Sequence, residues 1–159
     1  MNNLLSLTGI NEAYASEMTN ELNSLLANFQ VFYQNTRGFH WNIKGEKFFL
    51  LHEKFEELYD DLNDKVDEIA ERIIMLGGLP LHTFPDYLQA AQIEVVKNVT
   101  DAKSCVSSIL ASFKYLLSQE RTVLAKSAEH NDEATVSLMS DYIKEQEKLV
   151  WMYNAFLNN

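Results

Sequence analysis

Cysteine, proline, glycine and positive charge are all scarce in this chain of 159 residues. Its one cysteine, Cys105, excludes an internal disulfide and points to a reducing, cytoplasmic location. Two prolines, Pro80 and Pro85, and five glycines exclude collagen-like or low-complexity architecture and leave most of the chain free to run as helix. No apolar run is long enough to span a bilayer. The start, MNNLLSLTGI, lacks a basic region before a sufficient apolar run, so no secretion signal is expected. Lys and Arg total 13 against 23 Asp and Glu, giving a net charge of −10, and the first basic residue is Arg37. Without a basic tail or patch, affinity for a phosphate backbone is not expected. Such a surface suits a positive partner such as a metal cation.

What is present is helical patterning, and it fills one domain, residues 1–159. Leu22, Leu25, Leu26, Phe29, Phe32 and Tyr33 recur at helical spacing. A second segment carries Leu51, Phe55, Leu58, Leu62, Val66, Ile69, Ile73 and Leu76 and should stop at Gly77-Gly78. A third, capped by Thr100 or Asp101, carries Val106, Ile109, Leu110, Phe113, Leu116, Leu117 and Leu124. A fourth, entered near Asn131-Asp132, carries Met139, Tyr142, Ile143, Leu149, Val150, Tyr153 and Phe156. The expectation is an all-α four-helix bundle. The link GGLPLHTFPDYLQAAQIEVVKN between the second and third helices is far longer than bundle links usually are. One long crossover of this kind gives ferritin-like connectivity, and PDYLQAA has the makings of a short extra helix within it. Asn98–Thr100 matches a glycosylation sequon but reads as a helix start.

The second helix also carries chemistry. His52 and Glu56 lie four apart on one face, and Asp67 and Glu71 repeat the relation further on; His40 stands just before. Imidazole with carboxylate suits iron, manganese or zinc. The two pairs are 15 residues apart, roughly 22 Å along a helix, too far for one metal site. Their angular offset is only about 60°, so they share a broad face. A second copy packed antiparallel across a two-fold axis would set one chain's His52/Glu56 against the other's Asp67/Glu71. Spacing alone favours a solvated acidic stripe over a metal site, since Glu57, Asp61, Asp64, Glu68 and Glu71 form one.

FHWNIKG, then FFLLHEKFEELYDDL and VDEIAERIIMLGGLP, resemble the Dps family of mini-ferritins, and EQEKLVWMYNAFL is similar to the family's last helix. The resemblance spans nearly the whole chain. It implies a ferroxidase centre shared between two-fold-related subunits of a hollow dodecamer, with His40, His52, Glu56, Asp67 and Glu71 as metal ligands and catalytic residues. It further implies that Fe(II) is oxidised, preferably by hydrogen peroxide, and that Fe(III) is stored as mineral, protecting against oxidative damage. Glu56 departs from the family's frequent Asp, keeping the charge while reaching one methylene further. Glu53 and Glu57 are candidates for mineral nucleation by neighbourhood. Asp132 and Glu133, with Asp141 and Glu145 further along, are candidates for an acidic iron-entry pore, with helix capping as the alternative and Ser137 standing where relatives often have an acid. His82, His130 and Cys105 read as structural, Trp41 as packing with a possible donor role, and Trp151 as packing or interface surface. Two other functions compete: DNA compaction, which named the family, and a catalytically inert shell with an adhesion or signalling role. The missing basic tail disfavours the first.

Overall fold

Residues 3–158 are described by a computed structural model, and among them only helices and their connections occur. In chain order these are α1 (Asn3–Thr8), α2 (Glu12–Asn42), α3 (Phe48–Met75), α4 (Phe84–Ala90), α5 (Ala102–Glu129) and α6 (Glu133–Leu157). The four long helices match the four apolar periodicities, and α4 is the short helix anticipated in the crossover. The six-residue α1 was not anticipated, because so short a segment carries too little periodicity to stand out.

Each helix end has a local cause. Asn11, Asp101 and Asp132 cap α2, α5 and α6 by accepting from the amides of Tyr14, Ser104 and Thr135. At the end of α3, Gly77 adopts φ +76°. Gly77 N donates to Ile74 O, and Gly78 N to Ile73 O, which is the paired-bond Schellman stop. The helix start read at Asn98–Thr100 lies a few residues later: Asp101 is the cap and α5 begins at Ala102, while Asn98 sits at φ +62° in the link.

Contacts fix the topology. Phe39 meets Phe55 and Tyr33 meets Tyr59, so α2 and α3 run antiparallel. Phe113 meets Tyr153 and Arg121 meets Glu147, so α5 and α6 do too. Phe32 against Phe113 and Lys126 bonded to Glu17 and Glu21 make α5 antiparallel to α2. Hence α3 and α5 are parallel, and the chain must return along the bundle between them. This is the physical reason for the long link, because a 28-residue helix is about 42 Å long.

Three asparagines of α2 hold that link in place. Asn23 bonds Leu79 O and Leu81 N, Asn28 accepts from Gln92 N and Ile93 N, and Asn35 bonds Glu94 O and Val96 N. Asn28 is wholly buried and Asn35 nearly so. Their amides satisfy link backbone groups that would otherwise be stranded against the bundle.

The core is lined by Met18, Leu22, Leu25, Phe29 and Phe32 of α2 with their counterparts on α3, α5 and α6. Cys105 is fully buried, and burial pushes its thiol up to about 11, as expected of a core residue. Ion pairs reach into this core at Arg72 and at Lys65. Near one end, Arg72 of α3 pairs with Asp132 at 2.6 Å, and Asp132 also accepts from Tyr14 and Thr135. Tyr14 further bonds Ser127, so this one hub joins all four long helices. Nearer the middle, the buried Lys65 ammonium bonds Asp61 and Glu145.

Candidate metal centre

His40 lies in the last turn of α2 and His52 in the second turn of α3, joined by the short link that makes the hairpin. The structure brings these two together. Their rings stack with centroids 3.8 Å apart and planes inclined by 17°. Each ring is also tied to the other residue's backbone. His40 Nδ1 lies 2.6 Å from His52 O, and His52 Nδ1 lies 2.8 Å from His40 O. A carbonyl oxygen only accepts, so each Nδ1 carries the hydrogen and donates it. In the neutral ring this leaves the Nε2 lone pair of both residues unused, which is the arrangement of a metal-binding imidazole oriented by a backbone carbonyl. Phe48 stacks on His52 at 5.1 Å and Tyr59 meets His40 edge-on at 5.3 Å, closing the apolar side of the pair.

Glu56 is exposed one turn beyond His52. Asp67 and Glu71 are exposed further along the same helix. Because α3 is unbroken from Phe48 to Met75, the separation of about 22 Å by helical rise stands. Among the described residues no group of three His, Cys, Asp or Glu is gathered where it could hold a metal ion. One chain therefore presents two imidazoles with a carboxylate at one end and two carboxylates at the other. None of the ion pairs among the described residues takes Glu56, Asp67 or Glu71. The same face carries Phe49, 85% exposed, and Ile74, 54% exposed. Both fall within about 60° of His52 around the helix. Large apolar side chains bracketing a polar stripe are costly to leave in water, and covering them is what an interface does.

Other sequence candidates sort differently. Glu57 is bridged by Lys54 at 2.7 Å, whereas Glu53 is exposed and takes part in no ion pair among the described residues. His130 closes α5, its Nδ1–H donating to Lys126 O, and stacks on Tyr14 at 4.6 Å. His82 contacts Pro80 O in the crossover. Trp41 is not packed into the bundle: it is 56% exposed, with the Arg37 guanidinium 4.8 Å from its ring. Trp151 is likewise at the surface.

The pore expectation needs correction at Asp132. Its carboxylate is buried in the four-helix hub and bonded on both oxygens, so it faces no channel. Burial pushes its acidity down, but Arg72, Thr135 and Tyr14 more than offset this and hold it below the usual carboxylate range. Capping plus ion pairing accounts for it. Glu133 remains exposed beside it, while Asp141 pairs with Lys144 and Glu145 with Lys65.

With this geometry in view, known proteins provide a comparison. The family model of a ferritin-like domain matches residues 19–159. A DNA protection during starvation protein of Porphyromonas gingivalis is 42% identical over 98% of both chains. The crystal structure of a Dps protein from Vibrio cholerae, described as a member of a broad superfamily of ferritin-like diiron-carboxylate proteins, superposes with TM-score 0.92 at 52% identity, covering 93% of each chain. A Dps protein from Bacillus brevis gives TM-score 0.89 at 35% identity, covering 93% of this chain and 99% of its own.

Proposed function

Since the chain belongs to the Dps family of ferritin-like proteins, we propose that it oxidises Fe(II) at sites shared between paired subunits and stores the ferric product inside a dodecameric shell. The observation that carries this reading is the division of donors between the α2–α3 turn, where His40 of α2 and His52 of α3 present two oriented imidazoles, and the far part of α3, which carries two carboxylates outside any ion pair among the described residues. Antiparallel pairing of two such helices about a two-fold axis builds two equivalent sites. In each, Nε2 of His40 and His52 supplies neutral nitrogen, and Asp67 and Glu71 of the other subunit supply hard anionic oxygen. Mixed nitrogen and oxygen donors suit iron in both oxidation states. Glu56 has the reach to bridge two ions. The carboxylates' negative charge favours the higher oxidation state, which lowers the cost of giving up an electron. With hydrogen peroxide as oxidant, two Fe(II) would each give one electron to the peroxide, whose O–O bond breaks to leave two hydroxide ions. The ferric product then hydrolyses and precipitates, with Glu53 available as a nucleating oxygen. This chemistry removes iron and peroxide together, and its place is the cytoplasm.

The test is complementation between half-sites. One variant carries Asp67→Ala and Glu71→Ala; the other carries His52→Ala and Glu56→Ala. Each alone should assemble and oxidise Fe(II) poorly. Shells mixed at equal amounts should recover about a quarter of the sites, because about half of random two-fold interfaces are mixed and each then holds one intact site. Verified mixed shells no faster than either parent would sink the shared-site reading.

A further inference from the structure

Deep in the bundle, away from the candidate metal face, Glu120 of α5 is wholly buried and accepts a hydrogen bond from Gln146 Nε2 on α6. Two atoms of this same pair lack a partner: Glu120 Oε2 and Gln146 Oε1. Both are acceptors, and an acceptor left bare in a dry core is costly. They do not need two separate remedies, because a carboxylic acid carries an O–H that a carboxylate lacks. A planar acid and a planar amide already joined by one N–H···O bond close a second bond in the same plane when the acid keeps its proton. We infer that Glu120 is held as the neutral acid and donates Oε2–H to Gln146 Oε1, making a doubly bonded latch between α5 and α6 that weakens when the proton leaves.

The surroundings agree. Burial pushes the Glu120 carboxyl up to about 7; its bond from Gln146 and the charges of Lys65 and Arg121 pull the other way without prevailing. On α3, Lys65 is engaged by Asp61 and Glu145, and Glu68 accepts from Tyr142. On α5, the neighbouring Arg121 pairs with Glu147 of α6. On α6, Tyr142 is itself pushed upward by burial and by Glu68, with Glu120 and Asp61 adding to it, and so stays neutral. From α2, the uncharged Phe29 packs on the Tyr142 ring. No side chain among these is bonded to Glu120 Oε2. A carboxyl raised in the folded state stabilises fully below its ordinary value near 4.5 and loses that contribution as pH rises through about 7. The latch is therefore closed on the acid side of neutrality and slack on the alkaline side.

Infrared spectra of the intact protein read the proton directly. At about pH 5.5, where ordinary carboxyls are ionised, the wild type should show a protonated-carboxyl C=O band that is missing from Glu120→Gln and fades by about pH 8.5. Glu120→Gln mimics the neutral acid in shape, so its thermal midpoint should exceed that of the wild type at the alkaline end and lack the wild-type decline between those pH values. Two results would overturn the inference: no such band in the wild type, or a Glu120→Gln protein less stable than the wild type at both pH values. Either means that Glu120 is ionised and that a bound water supplies the missing donors.

Discussion

Asp132 shows how a single acid is committed to structure by its partners. Arg72, Thr135 and Tyr14 converge on one buried carboxylate, tying all four long helices at one end. Replacing it with Asn keeps the shape but strands the Arg72 guanidinium, and removing one member of a buried pair costs about 3 kcal/mol or more. Chemical denaturation of Asp132→Asn at matched protein concentration should show that loss near neutrality. Because the folded carboxyl is held low, its contribution is present above the ordinary value of 3.8 and lost as pH falls through the depressed one. The gap between variant and wild type should therefore close in strong acid, and a gap independent of pH would argue against the ion pair as its source. The sequence offered a cap position and a pore acid here, but not the ion pair. Arg72 is sixty residues away, and nothing local reveals that it points back. A signal did exist: Lys65 and Arg72 fall in the buried stripe Leu58, Leu62, Ile69, Leu76, and Glu120 falls in the stripe Phe113, Leu116, Val123. A charge at a core position of a helical period predicts a buried partner even when it cannot say which.

At the scale of elements, the helix stops and caps at Gly77-Gly78, Asp101 and Asp132 were legible because they obey rules only a few residues long. The crossover was legible as a length but not as a path. Its course is set by Asn23, Asn28 and Asn35, which a hydrophobic-period reading passes over as ordinary polar positions on α2. Those amides bind backbone, so their partners have no side-chain signature to find. Asn35→Ala removes the acceptor of Val96 N and the donor to Glu94 O. Each buried group left unmatched costs about 1–3 kcal/mol. The change should loosen the link locally, with faster proteolysis between α4 and α5 and helix content near that of the wild type. Cleavage at the wild-type rate would mean the link is held by packing alone. The histidine pair falls between these cases. Its spacing was legible, but the reciprocal backbone bonds that aim both Nε2 atoms were not, because they depend on how the α2–α3 turn closes.

For the whole molecule, charge decides what it meets. At −10 per chain, the proposed twelve-membered shell would carry about −120 before counterions and would repel duplex DNA. No band shift should appear at about 0.15 M salt without bridging divalent ions. A clear shift would return DNA compaction to consideration. The parcelling of donors between the α2–α3 turn and the far part of α3 has, under the shared-site proposal, a further consequence when the molecule is considered over its lifetime. On that proposal a newly made chain holds only half of the tool it would use, and the other half arrives with the wall that would enclose the product. Rust formed outside a container would be a hazard to the cell, sequestering metal irreversibly and seeding aggregates. A subunit working as proposed would be inert until it has a neighbour, so the capacity to make mineral and the vessel to hold it would come into being in the same event.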